Sequence, residues 1–149
     1  MLTLSSQKVA LIVDDDERIR KYIRGVLEKD GFDILEAENG VQALDLILQE
    51  ADRSIDLIIS DVNMPEMGGM SLVRQVKKLL PRLPIILISG YTGAEEMDPV
   101  CKSYECCTFL QKPFLPPALI DTVQKMLDLK QDTTTVLKTN VDGSGSFQR

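Results

Sequence analysis

Three aspartates and one lysine stand at the ends of short apolar runs, where their side chains could act together. Asp14 and Asp15 follow the first apolar run of the chain. Asp61 follows a second run and Lys112 follows a third. If these runs are neighbouring parallel strands, all four side chains meet at one edge of one sheet. Such a cluster can hold a hard divalent cation and present an aspartate as a nucleophile.

Apolar runs of strand length alternate with stretches of helical periodicity along the chain. The expected strands cover residues 9–13, 32–37, 55–60, 85–89 and 107–111. A helix is expected after each strand, and the last helix is expected to cover residues 116–129. Asp98 and Pro99 suit an N-cap and a first helical position, which predicts a short fourth helix that begins there.

Each of the first three helices shows one apolar stripe that should face the core. The stripe of the first helix consists of Ile19, Ile23, Val26 and Leu27. The stripe of the second consists of Val41, Leu44, Ile47 and Leu48. The stripe of the third consists of Leu72, Val73, Val76, Leu79 and Leu80, and Pro81 ends that helix.

Five strands that alternate with five helices indicate an α/β fold, a three-layer sandwich around a parallel sheet. The flavodoxin-like strand order 2-1-3-4-5 places a topological switch point between strands one and three, where ligands bind beyond the carboxyl ends of the strands. Asp14, Asp15 and Asp61 fall at that point. Ser89 and Lys112 end the fourth and fifth strands on the same edge.

Composition limits the function classes. The chain has 149 residues, a formal net charge of −6, no histidine and three cysteines. We expect an N-terminal extension (1–7), one domain (8–129) and a flexible tail (130–149). The negative charge argues against a general nucleic-acid surface, and the lack of histidine excludes histidine bases and ligands. We expect reduced thiols, no membrane span, no secretory signal and a cytoplasmic location.

The chain resembles the receiver (response-regulator) family of two-component signalling. The residues that carry the resemblance are Val13-Asp14-Asp15, then Asp61 with Asn63, Met64, Pro65 and Gly69, then Ser89-Gly90, then Lys112-Pro113-Phe114. The resemblance covers roughly residues 8 to 129. Each motif alone is weak, since aspartates before helices are common caps and Lys-Pro is common in loops. Their joint occurrence in this order is specific.

The resemblance implies a Mg²⁺ or Mn²⁺ site and a phosphoryl acceptor. Asp15 and Asp61 would bind the ion directly, Asp14 through water, and Asn63 through its backbone carbonyl. Asp61 would be the phosphoacceptor that attacks phosphorus. Lys112 would neutralise charge on the phosphoryl oxygens, and Ser89 would donate its hydroxyl to another of them.

The resemblance also implies a conformational switch. Ser89 would move toward the phosphoryl group, which opens space for an aromatic side chain that would here be Phe109. Packing in the core is the equally weighted alternative for Phe109. Asn63 and Tyr91 would flank the path of the hydrolytic water and set the lifetime of the phosphate.

The function expected is therefore a phosphorelay receiver that catalyses its own phosphorylation and dephosphorylation without turnover of an external substrate. Its partners would be a histidine kinase or histidine phosphotransfer protein and a downstream protein target, with no nucleic acid or membrane and with a possible homodimer. The proposed recognition patch is Arg18, Arg20, Lys21 and Tyr22 together with the loop 113–117.

Three alternatives remain open. The chain could be a docking module that works without phosphate, or the receiver fragment of a hybrid sensor kinase. It could also be a Mg²⁺-dependent phosphatase that resembles the haloacid-dehalogenase group, although Asn63 then stands where a second aspartate is needed.

Overall fold

The computed structural model describes residues 7–49, 54–90 and 94–129, and these form a five-stranded parallel sheet with helices on both faces. The strands are β1 (Val9–Val13), β2 (Asp33–Ala37), β3 (Leu57–Asp61), β4 (Ile85–Ser89) and β5 (Cys107–Gln111). The helices are α1 (Glu17–Lys29), α2 (Gly40–Gln49), α3 (Gly69–Leu79), α4 (Ala94–Ser103) and α5 (116–129). The strand order is β2-β1-β3-β4-β5, which confirms the predicted fold class.

The sheet divides the core into two apolar layers. On one face, α1 and α5 cover the sheet through residues such as Ile23, Leu27 and Val123. On the other face, α2, α3 and α4 cover it through residues such as Ala43 and Val73. Because both faces are covered, every residue of β1, β3 and β4 is buried, as the continuous apolar runs predicted.

The ends of α1 are set by local hydrogen bonds. The Asp16 side chain caps the N-terminus by accepting a hydrogen bond from the Arg18 N–H at 2.9 Å. At the C-terminus Asp30 is the cap residue, and Gly31 adopts φ 92°, which favours glycine. These caps direct the chain from the end of β1 into α1 and then into β2.

Three element boundaries differ from the predictions. Strand β2 begins at Asp33, whereas a strand over 32–37 was expected. Strand β3 begins at Leu57 and includes Asp61, whereas a strand over 55–60 was expected. Helix α4 begins at Ala94 and contains Pro99, so the prediction of an N-cap at Asp98 is wrong. A proline at this position removes only one helical hydrogen bond, and Cys101 anchors the helix in the core.

The apolar stripes of α2 and α3 are narrower than predicted. Val41 and Leu48 are exposed, Leu48 at 65%, and so are Leu79 and Leu80 at the end of α3. The helices lie on the sheet through fewer residues than their periodicity indicates, since Ala43 and Gly40 bring α2 close to its neighbours.

The side chain of Lys77, on α3, is buried and binds three backbone carbonyl oxygens. Its ammonium donates to Leu83 O at 2.7 Å, to Glu105 O at 2.7 Å and to Pro81 O at 3.0 Å. Burial lowers the pKa of Lys77 from its ordinary value. The ammonium therefore joins α3 to the segments that lead into β4 and β5.

The predicted tail from residue 130 and all but the last residue of the predicted N-terminal extension lie outside the described residues. No helix within the described ranges combines the length and the apolar character that crossing a lipid bilayer requires.

We predict that Lys77→Met destabilises the protein, because it leaves one buried and two partly buried carbonyl oxygens without their donor. The expected loss in the free energy of unfolding is about 2–3 kcal/mol. Urea denaturation measures it, with Lys78→Met as the matched control because Lys78 is exposed on the same helix. Equal stability of the two variants would contradict the structural role of the ammonium.

Candidate functional site

The carboxyl ends of β1, β3, β4 and β5 lie at the same edge of the sheet. Val13 pairs with Ser60, so Asp14 stands beside Asp61. Ser89 pairs with Gln111, so Lys112 follows directly at the end of β5. The Lys112 N–H donates to Ser89 O at 2.7 Å, and the Lys112–Pro113 peptide bond is cis.

The start of α3 is fixed close behind Asp61. A Cβ atom on Gly69 would lie 2.4 Å from Asp61 O, which no side chain can accommodate. The Gly69 N–H also donates to Val62 O at 3.0 Å. The sequence therefore needs glycine at this position so that α3 can begin against the end of β3.

The structure brings the three predicted acidic residues together. Carboxylate oxygens of Asp14, Asp15 and Asp61 lie within 4.8 Å of one another. Asp14 is 2% exposed and Asp61 is buried, whereas Asp15 is exposed and opens the cluster to solvent. Asp14 Oδ1 accepts a hydrogen bond from the Asp16 N–H at 2.9 Å. The three groups form an all-oxygen set of the kind that hard divalent cations prefer.

Lys112 is the cation that the structure places beside this cluster. Its Nζ lies 3.3 Å from Asp61 Oδ1 and 4.0 Å from Asp14 Oδ2. One ammonium thus faces three carboxylates, which leaves an excess of negative charge at the edge of the sheet.

Burial disfavours the ionised forms of the two inner carboxylates. It raises the pKa of Asp14 to about 6, and the nearby charge of Asp61 adds to the shift. Burial also raises the pKa of Asp61, although Lys112 opposes this. In the absence of metal, neutralising one of these buried carboxylates would therefore increase the stability of the folded protein.

Two buried polar atoms at this edge have no hydrogen-bond partner among the described residues, and both belong to predicted site residues. They are Asp14 Oδ2 and Ser89 Oγ. Buried polar atoms in native proteins are usually hydrogen-bonded, so these two atoms have capacity for a further polar partner such as water, an ion or a ligand.

The other predicted site residues lie around this centre. Asn63 is exposed in the loop after β3. Phe109 is partly buried and packs on the core layer beneath α3 and α4. Tyr91 lies outside the described residues. The roles assigned to these three residues remain predictions.

Arg20 was expected on a recognition surface, and that prediction is wrong. Its side chain is 12% exposed. It donates to Asp14 O at 2.7 Å and to Glu36 Oε1 at 2.9 Å. Arg24 also bonds to Glu36. Arg20 therefore joins the backbone of Asp14 to the end of β2. The only signal of this in the sequence is that Arg20 and Glu36 carry opposite charges.

The remaining residues of the predicted patch are accessible. Side chains of Arg18 and Lys21 are exposed at 89% and 73%. The Tyr22 hydroxyl donates to Phe114 O at 3.1 Å, and the two rings are in contact. The first helix is therefore joined to the loop that follows Lys112.

We predict that Asp14→Asn stabilises the metal-free protein at pH 7.5. The folded-state pKa of Asp14 lies above its ordinary value of 3.8, so its carboxylate costs stability as the pH rises from about 4 to above 6. Asparagine is neutral and can still accept the Asp16 N–H. The expected gain is at most about 3 kcal/mol.

Urea denaturation with a chelator present, at pH 7.5 and near pH 4, checks this prediction. The gain should vanish at the lower pH, where the wild-type carboxyl is protonated. Asp45→Asn, which changes an exposed carboxylate of α2, is the control. A variant no more stable than the wild type at pH 7.5 would contradict the prediction.

Comparison with known proteins agrees with this geometry. Residues 10–124 match the family model of the response regulator receiver domain. A chemotaxis protein CheY homolog of Campylobacter jejuni is 36% identical over 120 residues, which are 78% of this chain and 90% of that protein. Sensor kinase CckA of Brucella abortus is 37% identical over 132 residues, which are 87% of this chain and 13% of that kinase.

A solved structure shows the same fold. The response regulator receiver domain protein from Clostridium thermocellum superposes with a TM-score of 0.76 at 27% identity, over 83% of this chain and 97% of that one. The sequence matches, the strand order and the cluster at the switch point agree with one another. This chain therefore belongs to the response regulator receiver domain family, and it is a phosphorelay receiver of two-component signalling.

Proposed function

We propose that Asp61 is the residue that accepts the phosphoryl group. One observation carries the proposal: the Lys112 ammonium contacts Asp61 Oδ1, while the buried Ser89 hydroxyl on the neighbouring strand has no hydrogen-bond partner within the described ranges. A phosphoryl group on Asp61 would supply acceptor oxygens to both donors. Asp14 is more deeply enclosed and Asp15 is exposed, so Asp61 fits the role better than either.

The acidic cluster fits a Mg²⁺ or Mn²⁺ ion. Asp14, Asp15 and Asp61 offer carboxylate oxygens, and the Asn63 backbone carbonyl would complete the protein's share of the ligands. The unpartnered Asp14 Oδ2 supports this fit, because an ion or its bound water would satisfy it. A bound divalent ion supplies charge neutralisation for the phosphoryl oxygens.

The residues of the chain account for the transfer. An Asp61 carboxylate oxygen attacks the phosphorus atom of a phosphohistidine, the P–N bond breaks, and an acyl phosphate forms. Because the chain contains no histidine, the donor histidine belongs to a partner. Lys112 exchanges its contact with the Asp61 carboxylate for a contact with a phosphoryl oxygen. Hydrolysis of the acyl phosphate by water resets the protein.

We also propose the partners of this receiver and the residues that form it. The donor is a histidine kinase or a histidine phosphotransfer protein, and a downstream protein reads the change at Ser89 and Phe109. Asn63 and Tyr91 tune hydrolysis. Residues 8–129 form the receiver unit. We place the protein in the cytoplasm, because an odd number of cysteines with an adjacent pair does not suggest a disulfide framework.

We predict that incubation with a small acyl phosphate and Mg²⁺ adds one phosphoryl group to the chain. Intact-mass spectrometry detects it, and a chelator should prevent it. Asp61→Asn should abolish the adduct, because an amide is not a nucleophile here, whereas Asp45→Asn should keep it. An undiminished adduct on Asp61→Asn, or no adduct on the wild type with any phosphodonor, would overturn the proposal.

We predict that Lys112→Met and Ser89→Ala each slow phosphorylation, because each removes a donor to the phosphoryl oxygens. The expected reduction is roughly 100- to 1,000-fold in the initial rate at a fixed phosphodonor concentration. Ser71→Ala, on the exposed face of α3, is the control for Ser89→Ala. Wild-type rates in both site variants would show that these side chains do not act on the phosphoryl group.

A further inference from the structure

Two cysteine thiols lie side by side between α4 and β5, away from the acidic cluster. The Sγ atoms of Cys101 and Cys107 are 3.4 Å apart and share a hydrogen bond. Cys101 is buried in α4, and Cys107 is the partly exposed first residue of β5. A disulfide needs an S–S distance of about 2.05 Å, so the two sulfurs need to approach by roughly 1.4 Å.

The third cysteine lies on the other side of the sheet. Cys107 packs with the layer beneath α3 and α4, whereas Cys106 packs with the layer beneath α1 and α5. Cys106 also adopts a positive φ of 57°, a backbone conformation that residues other than glycine rarely adopt. The pair that the fold brings together is therefore Cys101 with Cys107, although Cys106 and Cys107 are adjacent in sequence.

The surroundings of Cys107 favour its thiolate. The hydrogen bond with Cys101 lowers the pKa of the Cys107 thiol, and the ammonium of Lys77 lowers it further. Lys77 is held in place by the carbonyl of Glu105, two residues before Cys107. When Cys107 is ionised, the Cys101 thiol becomes the donor of the shared hydrogen bond. A thiolate that is partly accessible, with a second thiol in contact, is the arrangement found in redox-active cysteine pairs.

We propose that Cys101 and Cys107 form a redox-active dithiol, which a hydroperoxide converts into an intramolecular disulfide. The Cys107 thiolate attacks the terminal oxygen of the hydroperoxide, the O–O bond breaks, and an alcohol or water leaves. The sulfur of Cys101 then attacks the sulfenic sulfur of Cys107. The S–S bond forms, the S–O bond breaks, and a second water leaves with the proton of Cys101.

The disulfide would fasten α4 to β5. Pro99 lies two residues before Cys101 and removes one helical hydrogen bond from α4, which favours bending of the helix near this position. Cys107 lies on the same face of β5 as Phe109, two residues away. The cross-link would therefore hold the part of the sheet that carries the predicted switch residue, independently of whether Asp61 is phosphorylated.

The test uses the full chain, treated with hydrogen peroxide and then alkylated and digested for peptide mapping. We expect loss of two thiols, a disulfide between Cys101 and Cys107, and full reversal by dithiothreitol. Cys106→Ser should form the same disulfide, since Cys106 lies on the other face. Retention of all three thiols, a Cys106–Cys107 disulfide or a cross-link between two chains would overturn the proposal.

A second variant keeps the two steps distinguishable. In Cys101→Ser, the first step remains and the second cannot occur, so Cys107 should stop as a sulfenic acid that dimedone traps. Thermal melting before treatment checks that this variant is folded. Trapping at Cys106 instead of Cys107 in the folded variant would also contradict the proposal.

Discussion

Repulsion among three carboxylates at the carboxyl end of the sheet is the constraint on which the site depends. Parallel pairing of β1 with β3 forces Asp14 and Asp61 together, and both are buried. The raised pKa of each shows that the protein holds their charge at a cost in stability. Lys112 offsets part of this charge. The remaining excess of negative charge favours binding of a cation, which would also stabilise the folded protein.

The buried ammonium of Lys77, at the opposite end of the sheet, shows how the same fold satisfies a charged group that has a structural role. Lys77 has a backbone carbonyl for each of its three N–H donors. At the acidic cluster, by contrast, Asp14 Oδ2 and Ser89 Oγ have no hydrogen-bond partner among the described residues. The difference separates a buried charge whose hydrogen bonds are complete from two buried atoms that can still accept a polar partner.

Much of the fold follows from local sequence patterns. The continuous apolar runs predicted β1, β4 and β5 with the bounds observed. The convergence of Asp14, Asp15, Asp61 and Lys112 followed from strand ends in a parallel sheet, because the rule for switch points depends on topology alone.

The misses have a common physical origin, since each depends on tertiary contacts. Arg20 and Lys77 are charged residues on amphipathic helices, so periodicity assigns them to solvent. Arg20 binds the Asp14 carbonyl and the Glu36 carboxylate, and Lys77 binds three backbone carbonyls. These contacts depend on how each helix packs, and helical periodicity does not display them. The exposure of Leu48 and the start of α4 before Pro99 likewise depend on how each helix lies on the sheet.

One backbone hydrogen bond joins the two predicted donor residues, from the Lys112 N–H to Ser89 O. Because the residues that carry the ammonium and the hydroxyl share this bond, a displacement of the backbone at the end of either strand is transmitted to the other.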